Sequence, residues 1–207
     1  MSSRAGIDNK IKPCSRRAGT ARPTGERFFW LAGPGDGHNP EVIKALGPPD
    51  IHHLNAAEGW LGLGNIVEAE RELARLNADL ANHPEVLRVR YHLYGDTKEW
   101  ERAAEVAQLL CKIVPDAPCG WIHLAYALHE LRRTREAYNV LIPVVDKFSK
   151  EYVIRYNLAC YMCQMGQLEE ARSWLKKAIA LAGIDTIKEM ARNDPDLQTL
   201  WTEIQQM

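Results

Sequence analysis

Small and large apolar residues recur along most of this chain with two periods, one nested in the other. Ala69, Ala103, Ala137 and Ala171 stand 34 residues apart. Three positions before each alanine come Ile66, Trp100, Thr134 and Leu168. Four positions after it come Leu73, Ala107, Leu141 and Leu175, and seven after it Leu76, Leu110, Val144 and Ala178. These offsets share one face of an α-helix, so each window predicts an amphipathic helix. The small central residue marks a place where two helices cross closely. A second periodic stretch precedes each window, as in Trp121, Leu124, Ala125, Leu128 and Leu131, and again in Leu158, Ala159, Met162 and Met165. Gly64-Asn65 and Gly166-Gln167 separate the two stretches in the first and last units, which predicts a tight turn between helices. The pattern therefore predicts helix, turn, helix, repeated four times.

A helical hairpin recurring every 34 residues resembles the tetratricopeptide repeat (TPR) family. The residues that carry the resemblance are Trp121, Leu124, Ala125 and Ala137, with Pro115 at the repeat-closing position. In the last unit they are Tyr156-Asn-Leu-Ala, Gly166, Ala171 and Ala178. The likeness covers roughly residues 50–182. Tyr156-Asn-Leu-Ala-Cys-Tyr, with Asp194-Pro-Asp-Leu and Leu200-Trp201 beyond it, is also similar to a group of small bacterial TPR proteins. The resemblance implies an all-α, right-handed superhelix of about four hairpins, at about 50–83, 84–117, 118–151 and 152–184. The second unit departs from the family pattern. It has Arg90 and Tyr91 where Leu-Ala or Leu-Gly is usual, and Lys98 where glycine is common, so its first helix is expected to pack loosely or rotated. Pro143 falls inside a predicted helix, where its ring clashes with the carbonyl of Asn139, and a bend is expected there.

The last repeat of a solenoid leaves an apolar face uncovered, so a C-terminal capping helix is expected within 185–206. Asp194 suits an N-cap and Pro195 the first helical position, and Leu197, Leu200, Trp201 and Ile204 share a face. Residues 1–49 carry Pro13, Pro23, Pro34, Pro40, Pro48 and Pro49 and no lasting helical period. A mostly disordered, basic, Pro/Gly-rich tail is expected there, with Phe28-Phe29-Trp30-Leu31 as its one apolar cluster.

Composition narrows the function. Hydrophobic residues make up 46% of the chain, enough for a packed core. The net charge of −1 argues against a dedicated polyanion binder. The first 27 residues hold seven lysines and arginines against two carboxylates, so the remainder is acidic, and RNA reading along it is disfavoured. No run of 18 apolar residues predicts a membrane span, and no apolar stretch near Met1 predicts a secretory signal. Five cysteines, an odd number mostly inside helical patterns, fit a reduced chain, and a bacterial cytoplasmic location is expected.

No nucleophile, base and carboxylate fall at a catalytic spacing, and Gly33-Pro-Gly-Asp-Gly is too proline-broken for a phosphate loop, so no catalytic residue is expected. The resemblance implies that the first helix of each hairpin lines an inner, concave face. Arg88, His92, Ile122, His123, Tyr126, His129, Tyr156 and Asn157 would stand there, with Cys160 and Cys163. Interleaved aromatic, apolar and polar groups suit a docked peptide or helix. Tyr126 and Tyr156 equally suit packing between repeats. The lysine-rich clamp that some TPR domains use for chaperone tails is not matched. Its positions correspond to Arg88, His92, His123, Val153 and Asn157. Cys160-Tyr-Met-Cys163 and the pair Cys119 and His123 each share a helix face. The two pairs would lie about 10 Å apart along parallel helices, too far for one ion, so no metal or cofactor is expected. The expected role is a non-enzymatic scaffold for a protein or peptide partner. The alternative is a metal- or redox-dependent sensor or enzyme using the cysteine- and histidine-containing inner face.

Overall fold

Eight of the helices pair into four hairpins, each built from the windows described above. They are α1 (Asp50–Gly62) with α2 (Ile66–Ala74), α3 (Pro84–Asp96) with α4 (Trp100–Ile113), α5 (Pro118–Glu130) with α6 (Thr134–Leu141), and α7 (Tyr152–Gln164) with α8 (Leu168–Ala182). The computed structural model describes residues 45–206, within one unit spanning 40–207. Among the described residues the architecture is all-α, a succession of helical hairpins. The expectation for residues 1–44, including the Phe28–Leu31 cluster, lies outside the described residues. Within the stretch assigned to the tail, Leu46 is buried with Leu54, Ala57 and Val86 in the core of the first hairpin.

One turn serves all four hairpins. The amides of Asn65, Glu99, Arg133 and Gln167 bond back to the carbonyls of Trp60, Tyr94, Leu128 and Met162, five residues earlier, at 2.8–2.9 Å. That bond closes each helix when the residue before it takes left-handed backbone. Gly64 (φ 73°) and Gly166 (φ 75°) do so without a Cβ penalty. Lys98 (φ 59°) and Arg132 (φ 63°) hold the same geometry with a side chain.

Two columns of small residues run through the stack. Ala69, Ala103, Ala137 and Ala171 are fully buried where second helices cross their partners. Ala57, Ala125 and Ala159 form the matching column on the first helices, and Tyr91 takes the alanine position in α3. Tyr91 does not rotate α3 out of register, because Val86, Leu87, Val89 and Leu93 remain buried around it. Its ring fills the space toward α5, stacked on His123 with centroids 3.9 Å apart and planes 7° apart, and its hydroxyl donates to the His123 carbonyl at 3.1 Å. Gly120 sits where α5 meets α4. A Cβ there would lie 3.0 Å from the Cys111 amide nitrogen.

At Pro143, where a bend within the helix is expected, the α-helix instead ends. α6 stops at Leu141, a 3-10 turn spans Ile142–Val144, and Pro143 faces solvent. The carbonyls freed beyond the break are met by a buried cation. Arg155 of α7 donates to the carbonyls of Val145, Phe148 and Glu151 at 3.1–3.3 Å. A charged donor on orphan carbonyls near a helix end is the favourable pairing there.

The expected cap is three short helical pieces rather than one helix. α9 (Ile184–Ala191) continues from α8 after Gly183, a 3-10 helix spans Pro195–Leu200, and α10 (Trp201–Gln206) follows. Asp194 N-caps the middle piece, its side chain accepting from the Asp196 amide at 3.0 Å, with Pro195 in the first turn. Ile187, Leu197, Leu200 and Ile204 are fully buried and join the core of the last two hairpins. Burying side chains of this size contributes about 1.5–3 kcal/mol each. Arg172 of α8 grips Glu203 of α10 with two bonds of 2.6–2.7 Å.

Candidate functional site

The 34-residue period sets equivalent positions of the inner helices side by side. Glu58, His92, Tyr126 and Cys160 form one row across α1, α3, α5 and α7. Arg88, Ile122 and Tyr156 form another, one helical turn earlier. Both rows stand on the first helices of the hairpins.

At the N-terminal end, half-buried Arg88 bridges helices. Its guanidinium pairs with Glu58 of α1 and, at 3.1 Å, with Glu85 one turn back on α3. His92 lies edge-on to His123, with centroids 5.5 Å apart. Burial, and then the neighbouring Arg88 cation, pulls His92 down to about 4, against a smaller opposing effect of Glu58. Burial, with His92 and Arg88 adding to it, takes His123 to about 3. Both imidazoles are therefore neutral near pH 7. His123 accepts or shares a hydrogen with the Cys119 thiol at 3.9 Å. On α5, Ile122 and Tyr126 are half-buried, and Tyr126 meets Trp100 edge-to-face at 5.7 Å. Burial first, and Glu130 second, keep the Tyr126 phenol protonated well above its usual range.

At the C-terminal end of these rows the chain packs against itself. Tyr156 donates its hydroxyl to Asp194 Oδ2 at 2.8 Å, and the Cys160 thiol reaches the same oxygen at 3.8 Å. Gln164 donates its amide to the Asp196 carbonyl at 3.1 Å. His129 Nε2 lies 3.2 Å from Asp196 Oδ2, and its Nδ1 lies 3.0 Å from the Thr134 hydroxyl. An ionised carboxylate only accepts, so Nε2 carries a hydrogen and donates it to Asp196. Trp201 Nε1 donates to the Asp194 carbonyl at 3.0 Å and holds the segment's own bend.

The eight positions named from sequence thus divide. Arg88, His92, Ile122, Tyr126 and Asn157 keep part of their surface. His123, His129 and Tyr156 are buried, the last two bonded to the C-terminal segment. Four further participants are Glu58, Gln164, Asp194 and Asp196, none of them among the sequence candidates. Glu58 follows from extending the row of His92, Tyr126 and Cys160 back by 34 residues, and Gln164 stands one helical turn beyond Cys160. The sequence marks Asp194 only as a cap, and no local pattern signals that its segment folds back across α7. Cys160 and Cys163 are buried, and burial, reinforced by Asp194 and Asp196, raises the Cys160 thiol well above its usual range. Among the described residues no three His, Cys, Asp or Glu side chains are grouped to hold a metal ion. No described helix is long and apolar enough to cross a membrane.

No protein-family model and no curated protein sequence matches the chain. Solved structures do. The MamA protein of Desulfovibrio magneticus RS-1 superposes with a TM-score of 0.60 at 21% identity, over 78% of this chain and 96% of that one. TTC0263, a thermophilic TPR protein of Thermus thermophilus, gives 0.56 at 17% identity, over 76% and 100%. The MamA MSR-1 C2 structure gives 0.54 at 23%, over 62% and 74%. At these identities the likeness is one of fold, and with the 34-residue hairpins it gives this chain a TPR-like fold.

Proposed function

We propose that the chain is a non-enzymatic scaffold that docks a segment of another protein, a peptide or a helix, in the inner groove of its TPR array. The observation that carries this reading is the groove's own occupant. Residues 194–200 already lie against α5 and α7, held by side chains of the inner rows. The stretch before it, at Arg88, His92, Ile122 and Tyr126, keeps the same mixture of aromatic, apolar and charged groups and remains partly open. Tyrosine there offers a large contact area with few torsions to freeze. The second helices present a different face. Glu105, Glu169, Lys176 and Lys177 are exposed, a solvated surface that needs no functional explanation. The metal or redox alternative asks for reactive thiolates, and burial keeps Cys160 and Cys163 protonated. Inside a reducing compartment such thiols act as small core residues.

Affinity capture with mass spectrometry, run beside variants of the two faces, tests this. Tyr126→Ala with Ile122→Ala should weaken the captured partner by about 2 kcal/mol or more, as central anchors do. Lys176→Glu with Lys177→Glu should leave it bound, apart from a salt-sensitive change in association rate. Circular dichroism must show both variants folded. Retention by the first and loss by the second moves the site to the outer face and ends the inner-groove reading.

A further inference from the structure

The C-terminal segment closes the core with Leu197, Leu200 and Ile204, and it also makes a set of polar contacts that core closure does not require. Asp194 and Asp196 aim inward. They meet Tyr156, Cys160 and His129, while Gln164 takes the Asp196 carbonyl. The receiving groups sit on two inner helices, 32 to 67 residues away in sequence. A carboxylate taken out of water is tolerated only when donors replace its hydration. Here the Tyr156 hydroxyl, the Cys160 thiol and the His129 Nε2–H are those donors. None of them is a lysine, unlike the donors of a chaperone-tail clamp, and they receive internal carboxylates rather than a chain end.

We infer that the surface of His129, Tyr156, Cys160 and Gln164 is a peptide-reading site occupied in cis by Asp194-Pro-Asp-Leu, and that its external ligand is a protein segment of that same chemistry. That segment carries two carboxylates separated by one residue and followed by a leucine. The inference rests on the groove-binding reading and names a partner class for it. The tether makes the cis segment a standing competitor. Access to the fourth hairpin then requires an incoming segment to displace residues 194–200, whereas Arg88, His92, Ile122 and Tyr126 keep part of their surface. The cap in this way sets how far along the groove a partner reaches.

The test uses the full chain, isotopically labelled for NMR, and an unlabelled synthetic peptide with the sequence of residues 193–205 as probe. A short tether holds the cis segment at an effective concentration of about a millimolar, so the probe should shift the amide signals of residues 194–204 in that range. With Asp194→Asn and Asp196→Asn in the chain, displacement should need at least tenfold less probe (~tenfold is 1.4 kcal/mol). With the same two changes in the probe, it should need at least tenfold more. Signals that stay put at every concentration in both chains overturn the inference, as does displacement indifferent to the probe's carboxylates. If the double-asparagine chain does not fold, hydrogen exchange on the wild type decides. Amides of residues 197–204 exchanging at least tenfold faster than those of 156–164 support a segment that leaves on its own. Equal exchange through global unfolding makes it a permanent cap and removes the site. Failure here leaves groove binding at Arg88 to Tyr126 standing. Failure of groove binding leaves this test readable, because both partners in it come from this chain.

Discussion

Lys98 and Arg132 hold left-handed backbone at the turn position that Gly64 and Gly166 hold in the other two hairpins. Left-handed backbone crowds a Cβ against the carbonyl, and both side chains are exposed, so little packing offsets that cost. Lys98→Gly should therefore stabilise the chain by about 0.5–1 kcal/mol, visible as a rise in thermal midpoint. A fall would mean that the lysine makes a contact worth more than the relieved crowding. Two other residues tie stability to pH. His92 and His123 stay neutral down to about 4 and about 3 in the fold, against about 6.5 in the unfolded chain. Between those values the unfolded state binds more protons, so stability is complete above about 6.5 and drains away as pH falls toward 4. The slope is at most about 1.4 kcal/mol per pH unit for each histidine. Denaturant unfolding from pH 7 to 4.5 should show that loss, and His92→Gln should shrink it. An unchanged slope in the variant would show that other groups carry the acid sensitivity.

At the level of helices, the alanine column carries the register. Ala137 is fully buried where α6 crosses α5, inside the core of the last two hairpins. Ala137→Leu should cost about 1–3 kcal/mol in chemical denaturation, because extra methylenes force neighbours off their rotamers. A neutral result would mean that the crossing lies elsewhere. These elements were legible because a 34-residue recurrence fixes both the period and the phase of each helix, and the ring of Pro143 forces its break wherever the helix runs. The turns at Lys98 and Arg132 were less legible, since neither residue is a usual left-handed former and only the spacing from Gly64 and Gly166 points to them. The pairing of Tyr91 with His123 was hidden for another reason. A tyrosine in a small-residue column signals misfit, and only the neighbouring helix reveals the ring that receives it.

Across the whole array, what the repeat pattern cannot encode is the fate of the non-repeating end. Residues 185–206 are amphipathic and so announced a cap, but the same pattern fits one long helix or three short ones. The choice is made at Asp194-Pro195, and it turns two carboxylates onto α5 and α7. The C-terminal segment consequently covers His129 and Tyr156, while Arg88, His92, Ile122 and Tyr126 keep part of their surface. Photo-crosslinking compares the two faces of the array most directly. Benzoylphenylalanine is placed at position 126 in one full-length variant and at position 176 in another, and both are irradiated in cells. The groove reading predicts an adduct with another protein from position 126 and none from position 176. An adduct from position 176 alone would contradict it.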